Sequence, residues 1–420
     1  MMTGNKIIGR RLRIHRESAE HENDGRRLQL HKKCGSKKTR DHRYLAAATV
    51  ILMMIAAVLC LRERVQKTAL TETAGRTFEK GIVTEIVTDN MQEDGIRVGE
   101  QTVIVNMTTG DLKGRQVKAT SSSGFLFGTA CEKGAHVIVI QSRAGDETVS
   151  SVYSRDRGLS LVLFILLYFA LLCLIGGRQG FHGSVSLVLS FVSIIYVYLP
   201  LVYIGWPPFA SAVMICAFIT VLSIILISGL TRKSITAALG TVAGVVMAGF
   251  MAYFFSAVTG LSGYNVSDIE TLITLWDVDD IQVGSLLFSG ILISSLGAVM
   301  DVAMSVTSSM EEVLRQNPGI SRKELLHAGI RVGKDMMGTD SNTLILAFAG
   351  SSLSMLLLDY AYDLPFLQVI NSNNIGLALM EGLAGSFGVV LCMPVTAFMA
   401  SMILPGREGG RCLEKFRDVL

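Results

Sequence analysis

The chain has 420 residues, of which 50% are hydrophobic and only 17% are charged, and its mean hydropathy is +0.47. Soluble domains carry roughly a quarter of charged residues, and a soluble fold of this length could not cover its surface with so few. The composition therefore excludes an ordinary soluble enzyme and predicts a polytopic membrane protein.

The cysteines and histidines show no metal or haem signature. The 7 cysteines are scattered without a C-x-x-C pair, and only Cys131 falls in the region expected outside the cytoplasm, so no intrachain disulfide is expected. No histidine falls within an apolar stretch, where it could ligate a haem or a metal. The sequence thus predicts no metal site and no cofactor.

Residues 1–43 form a basic tail with 13 Lys and Arg against 5 Asp and Glu, and with few large apolar residues. This composition is typical of disorder. One interpretation is contact with nucleic acid or anionic lipid; the other is a solvated tail that fixes the orientation of the first helix. We favour the second, because juxtamembrane basic residues set orientation without any ligand. Anionic-lipid contact stays open, and nucleic-acid binding is not predicted.

Eight stretches are apolar over roughly the 17–25 residues that a membrane-spanning helix needs. They predict a first transmembrane helix at 44–61 and a seven-helix domain at 159–405. The fold expected is therefore an all-α membrane bundle of about eight helices. The seven later stretches are 159–175, 183–204, 209–230, 235–260, 281–300, 342–358 and 375–404.

The connecting segments alternate between those that contain basic residues and those that do not. Lys and Arg occur at 176–182, 231–234 and 308–341 and in the C-terminal tail 406–420, whereas 205–208, 261–280 and 359–374 contain none. Because cytoplasmic loops carry the excess of basic residues, both termini are predicted to be cytoplasmic.

Residues 62–158 form an inserted extracytoplasmic domain with 13 basic and 13 acidic residues. Five short β-branched runs are separated by turn sequences, which predicts a small β-barrel, perhaps of OB type. The domain is either a module that binds a ligand or partner, or a cap that orients the first helix. The runs are 81–87, 101–105, 116–120, 136–141 and 148–153.

Small residues mark expected helix–helix contacts, because they let backbones approach closely in lipid. The candidates for such packing are Gly240, Gly244, Gly297, Gly385 and Gly388. A substrate groove along the same seam is the alternative.

A polar face follows helical spacing at the end of the 281–300 stretch. Gly297, Asp301 and Ser305 are each four residues apart, so they share one side of a helix. An acidic residue inside the membrane is costly and is therefore a functional candidate. Equally, Asp301 could mark the point where the helix leaves the bilayer.

The cytoplasmic loop 308–341 is expected to contain its own helix. Ser321 and Glu324 fit a capping box, and the helix that follows would lie on the inner membrane surface. The run 338–343 would then supply N-caps for the seventh span. Glu381, near the outer end of the last span, is more consistent with a boundary residue than with a partner of Asp301.

The chain resembles the YibE/F family of bacterial multi-span membrane proteins over roughly residues 75–405, and the segment 297–350 carries the resemblance. Its most specific element is a GxxxDxMGTxxNTL-like stretch, and the order of one helix, an outer β-rich domain and seven further helices also agrees. The resemblance implies a cytoplasmic-membrane protein but no established reaction. The polar residues of this stretch, taken as functional candidates, are Asp335, Gly338, Thr339, Asn342 and Thr343.

These features predict a transporter or permease-like protein for a small solute or ion. The sequence has no ATP-binding motif, so transport would be ion-coupled, facilitated or dependent on a partner membrane subunit. The alternative is a non-transporting envelope scaffold or receptor that acts through the outer domain. No catalytic constellation is present, so an enzyme is not expected.

Overall fold

The computed structural model describes residues 49–65 (without 50, 53 and 64), 75–89, 99–122, 129–144, 147–265, 269, 270, 273 and 282–405. The predictions for the basic tail, the acidic part of the 261–280 loop and the C-terminal tail mostly fall outside these residues. The chain divides into two compact units, of which the smaller is Lys67–Gly177.

The smaller unit contains a closed five-stranded β-barrel. Its strands are β1 (Arg76–Thr88), β2 (Glu100–Met107), β3 (Gln116–Ser122), β4 (His136–Ala144) and β5 (Glu147–Arg155). They follow the order β1-β2-β3-β5-β4, and β1 also pairs with β4 to close the barrel. Each of the five predicted runs lies within one strand, so the prediction of a small barrel is confirmed.

Alternation of side chains explains why these runs form a barrel. On β2, Val103, Val105 and Met107 point inward and are at most 1% exposed, while the residues between them are half-buried. A strand with one apolar face must bury that face, and closure of the sheet leaves no unpaired edge.

The helices begin before the barrel and continue after it. Residues 49–63, where described, are helical and form α1. The later helices are α2 (Gly158–Ser193), α3 (Leu199–Tyr203), α4 (Pro208–Ser228), α5 (Arg232–Thr259), α6 (Leu286–Gln316), α7 (Arg322–Ser351), α8 (Leu353–Ala361), α9 (Phe366–Ile370) and α10 (Asn373–Ile403).

Several of these helices are suited to a membrane. Among the described residues, 5 helices are long and apolar enough to cross one, or 6 if α7 and α8 together form one span bent by 58°. The molecule is therefore a largely helical protein with a small β-barrel.

The long helix from Gly158 to Tyr203 is interrupted twice. Gly177 has φ 54° and ψ −128°, a backbone conformation that only glycine adopts readily. A π-helical turn at Ile194–Tyr198 then joins α2 to α3. Pro200, which has no N–H to donate, is the second residue of α3. The predicted loop 176–182 is thus helical except at Gly177.

In the larger unit, α5 packs against both α6 and α10 and runs antiparallel to both. A Cβ placed on Gly244 would lie 2.6 Å from atoms of Cys392 on α10 and of Val299 on α6, and one on Gly388 would lie 2.7 Å from Ala248. Backbones this close leave no room for a side chain. The sulfur of Cys392 also contacts the carbonyl oxygen of Gly240, at 3.3 Å.

The predicted packing glycines do not all lie in such contacts. A Cβ on Gly240 or Gly385 would overlap Thr396 or Leu344, respectively. A Cβ on Gly297 would have no described heavy atom within 4 Å, because this residue lies on the open side of α6. The close approach expected at Gly297 is therefore absent from the described structure.

The region predicted as a cytoplasmic loop is largely helical. The capping box is confirmed, since Ser321 and Glu324 bond each other's backbone N–H groups at the start of α7. The predicted N-caps at 338–343 are wrong, because α7 continues through them to Ser351. Gly329 and Gly333 hold α7 against Met310 of α6 and Met393 of α10, so the helix packs against both of these helices.

Candidate functional site

The polar face of α6 is its open face. Gly297, Asp301 and Ser305 follow one another at helical spacing, and Asp301 is exposed while Ser305 is half-buried. On the other side of the helix, Val299 and Val302 are completely buried in the bundle core. The core thus positions Asp301 without enclosing it.

Helix α7 runs antiparallel to α6 and brings a second carboxylate to the same level. Met310 of α6 meets Gly329 of α7, and a Cβ on Gly385 would approach both Ser295 of α6 and Leu344 of α7. Between these two contacts, Asp301 on α6 and Asp340 on α7 come close enough for their charges to repel each other. The structure therefore forms an acidic pair from helices that adjoin in space.

The oxygen atoms around Asp340 are incompletely satisfied. Asp340 Oδ2 and Ser341 Oγ are buried, and neither has a hydrogen-bond partner. Burying a polar atom without a partner costs free energy, and a carboxylate oxygen can only accept a proton, a hydrogen bond or a cation. The acidic pair is thus equipped to receive such a partner.

Helix α10 contributes a hydroxyl beside the pair. Ser386, which is 7% exposed, donates its Oγ hydrogen to the carbonyl of Gly382 at 2.8 Å, and the same oxygen lies 3.3 Å from the carbonyl of Ser341. Glu381 is half-buried on the same helix and precedes Ser386 by ~7.5 Å of helix axis. The structure does not pair Glu381 with Asp301.

The candidate residues predicted on α7 lie on a different face from Asp340. Asp335, Gly338, Thr339, Asn342 and Thr343 are all exposed in the described structure. Thr343 donates a hydrogen bond to the carbonyl of Thr339 within the helix, at 2.9 Å. These five residues therefore form an open polar stripe, and the structure joins none of them directly to the acidic pair.

Sequence reasoning missed Asp340 and Ser341 as site residues because it ended the cytoplasmic helix before them. A signal was present, however. Leu325, Gly329, Gly333 and Met337 are each four residues apart and so share one helical face, and extending that spacing by three and four residues reaches 340 and 341. Ser386 follows Gly382 by four residues in the same way.

Metal-ligand clusters are not a feature of the described residues, which contain no group of three or more His, Cys, Asp or Glu side chains able to hold an ion. The acidic pair therefore stands as two carboxylates with neighbouring hydroxyls.

Comparison with known proteins finds one family. Residues 164–406, more than half of the chain, match the family model described as YibE/F-like protein. No curated protein and no solved structure matches the chain. The matched segment contains α4 to α10 and therefore all residues of the acidic pair.

Proposed function

The chain belongs to the YibE/F-like family, and from this membership and the acidic pair we propose that it is a transporter or permease-like membrane protein for a small solute or ion. The observation that carries the proposal is the pairing of Asp301 with Asp340 beside a buried, unpartnered carboxylate oxygen. Such groups are costly in a membrane and mark ion or proton paths.

We propose eight spans with cytoplasmic termini and an extracytoplasmic, OB-like barrel, in the plasma membrane. The helix from Gly158 to Tyr203 has 46 residues, or ~69 Å, whereas a bilayer core is ~30 Å thick. Its break at Gly177 supports two crossings. With α1, α4, α5, α6, α10 and the bent pair α7–α8, the total is eight. The placement of basic loops supports the stated orientation.

Two contacts support an intramembrane position for Asp301. Lys233, in the first turn of α5, forms a 3.6 Å ion pair with Glu311 of α6, and Asp301 precedes Glu311 by ~15 Å of helix axis. Gly244, which meets Val299, lies ~14 Å beyond Ile235, where the apolar sequence of α5 begins. Asp301 is only two residues from Val299. Both contacts therefore put Asp301 more than ~10 Å from the charged layer.

The chemistry of the pair favours a proton or a small cation. Two neighbouring carboxylates that repel each other are stabilised when one takes up a proton or when a cation lies between them. Asp340 Oδ2 and the Ser341 hydroxyl supply further oxygen ligands. Energy would come from an ion gradient or from a partner membrane subunit, because the sequence contains no nucleotide-binding motif.

Proteoliposomes test this proposal directly. With a pH-sensitive dye trapped inside and Na⁺, K⁺ or Mn²⁺ supplied outside, we expect a gradient-driven signal from the natural chain. Asp301→Asn and Asp340→Asn should each lower the rate at least about tenfold, since each removes a charge that the cargo needs. Glu311→Gln, a change outside the pair, should keep the rate. If all three variants matched the natural chain, the acidic pair would have no transport role.

The alternative function is a scaffold or receptor that acts through the barrel. One observation favours it: the barrel is a compact unit with its own core around Val83, Val103 and Val139. Anionic-lipid contact of the basic tail would suit either function. Two variants separate these functions in cells. A scaffold would lose its cellular phenotype when residues 62–158 are deleted but would keep it with Asp301→Asn. A transporter would lose the phenotype with Asp301→Asn.

A further inference from the structure

An aromatic pair lies on the outside of the barrel. Phe78 of β1 and Tyr153 of β5 are 58% and 50% exposed, yet their rings pack edge to face with centroids 5.5 Å apart. The rings meet across β4, where Ile138 and Ile140 point outward and are half-buried. We call these four residues the aromatic face.

The aromatic face is close in sequence to a helix suited to a membrane. β5 ends at Arg155 and α2 begins at Gly158. The chain between Tyr153 and the start of α2 is therefore at most ~17 Å long. Because strands in a small barrel are tilted, Tyr153 is even closer than that to the level at which α2 begins. From Leu159 onward the first turns of α2 are apolar and exposed.

The junction between β5 and α2 is fixed. Asp156 accepts a hydrogen bond from Lys80 Nζ at 2.8 Å and one from the Gly158 backbone N–H at 3.1 Å. Its own backbone N–H donates to the carbonyl of His136 at 2.9 Å. The bonds that the carboxylate accepts from Lys80 and from Gly158, chiefly the one from Lys80, hold the pKa of Asp156 below its ordinary value. The residue at the end of the barrel is therefore bonded both to β1 and β4 and to the first residue of α2.

The edge of the barrel at this junction is basic as well as apolar. Arg155, Arg157 and His136 are exposed there, next to the Lys80–Asp156 ion pair. Aromatic rings with adjacent cationic side chains are the composition of protein surfaces that lie at the boundary between lipid headgroups and acyl chains. An exposed apolar patch of this kind usually marks a contact surface.

We propose that the aromatic face docks on the membrane surface of the leaflet in which α2 begins, with Phe78 and Tyr153 inserted at the headgroup–acyl boundary and the arginines beside the lipid phosphates. The barrel is then a module anchored flat against the bilayer. This contact does not depend on transport by the acidic pair.

Single-tryptophan fluorescence tests the docking. In the full chain with Trp206→Phe and Trp276→Phe, tryptophan is introduced by Phe78→Trp, Tyr153→Trp or, as a matched control, Lys118→Trp on the exposed outer side of β3. Each protein is placed in vesicles of natural or brominated phosphatidylcholine with one-fifth anionic lipid, because bromine on the acyl chains quenches only nearby tryptophan. An aromatic side chain at these sites preserves the strand preference, so folding should be retained.

We expect brominated lipid to reduce emission at least about twofold at positions 78 and 153, as for rings at the membrane interface, and to leave position 118 unchanged. Equal emission in both lipids at 78 and 153 would overturn the proposal, since the rings would then be in water. Equal quenching at all three positions would also overturn it, because no particular face would be docked.

Discussion

A side chain at Gly244 would collide with two helices at once. The added methyl group of Gly244→Ala would lie 2.6 Å from Cys392 Cβ and from Val299 Cγ1. Overpacking of this kind costs about 1–3 kcal/mol. We therefore expect Gly244→Ala to lower the midpoint of heat-induced unfolding in detergent.

Gly297→Ala is the matched control for that change. Its methyl group would meet no described atom within 4 Å, and alanine favours a helix over glycine by roughly 0.5–1 kcal/mol. The unfolding midpoint should therefore stay the same or rise. A similar loss in both variants would show that the tight contact between α5, α6 and α10 is not what makes Gly244 sensitive.

At the scale of residues, sequence patterns identified Asp301 but not its partner. Asp301 stood out because a carboxylate next to an apolar span is rare. Asp340 lies in a run of polar residues that also fits helix caps, and local sequence cannot distinguish a cap from the interior of a helix. Tertiary contacts, which local sequence does not show, distinguish the two: Gly329 and Gly333 pack α7 against Met310 and Met393.

Among the elements, the long helix α2 depends on one backbone angle. At Gly177 the values φ 54° and ψ −128° would place a Cβ against its own backbone. Strain of this kind costs about 1–3 kcal/mol. We expect Gly177→Ala to reduce the yield of folded protein and its unfolding midpoint in detergent, both followed by fluorescence-detected gel filtration.

The neighbouring glycine provides the comparison. Gly176 has no positive φ, and a Cβ there would meet nothing within 4 Å, so Gly176→Ala should behave like the natural chain. If both substitutions were tolerated equally, the break in α2 would not need the glycine conformation.

Strands were easier to predict than helix ends. The five β-branched runs alternate with period two between clear turn sequences, and each matched a strand. The ends of α6 and α7 were harder to predict, because both helices are longer than a bilayer requires and continue beyond their apolar segments. Ser321 was the exception, since its capping box is a local signal that tertiary contacts did not override.

For the whole molecule, composition alone established a membrane protein, whereas the number of crossings depends on how long helices are divided. The described residues contain 5 or 6 helices able to span. Eight is our proposal, because it splits the 46-residue helix at Gly177 and includes α1. Hydropathy separates the apolar stretches 159–175 and 183–204, but it does not show that the chain between them is helical except at Gly177.

We propose that the acidic pair of this YibE/F-like protein lies within the membrane and is reached by water. The depth proposed for Asp301 depends on how α5, α6 and α7 pack against one another. A site accessible to water at that depth is what a transporter needs and what a dry scaffold lacks.

The most direct test is the reactivity of a thiol at that position. In a chain without its natural cysteines, Asp301→Cys is exposed in vesicles to a small cationic methanethiosulfonate, with Phe250→Cys on the exposed side of α5 as the lipid-facing control. We expect modification at 301, slowed by Mn²⁺ or by Asp340→Asn, and none at 250. An unreactive thiol at 301, equal to the one at 250, would contradict the proposal.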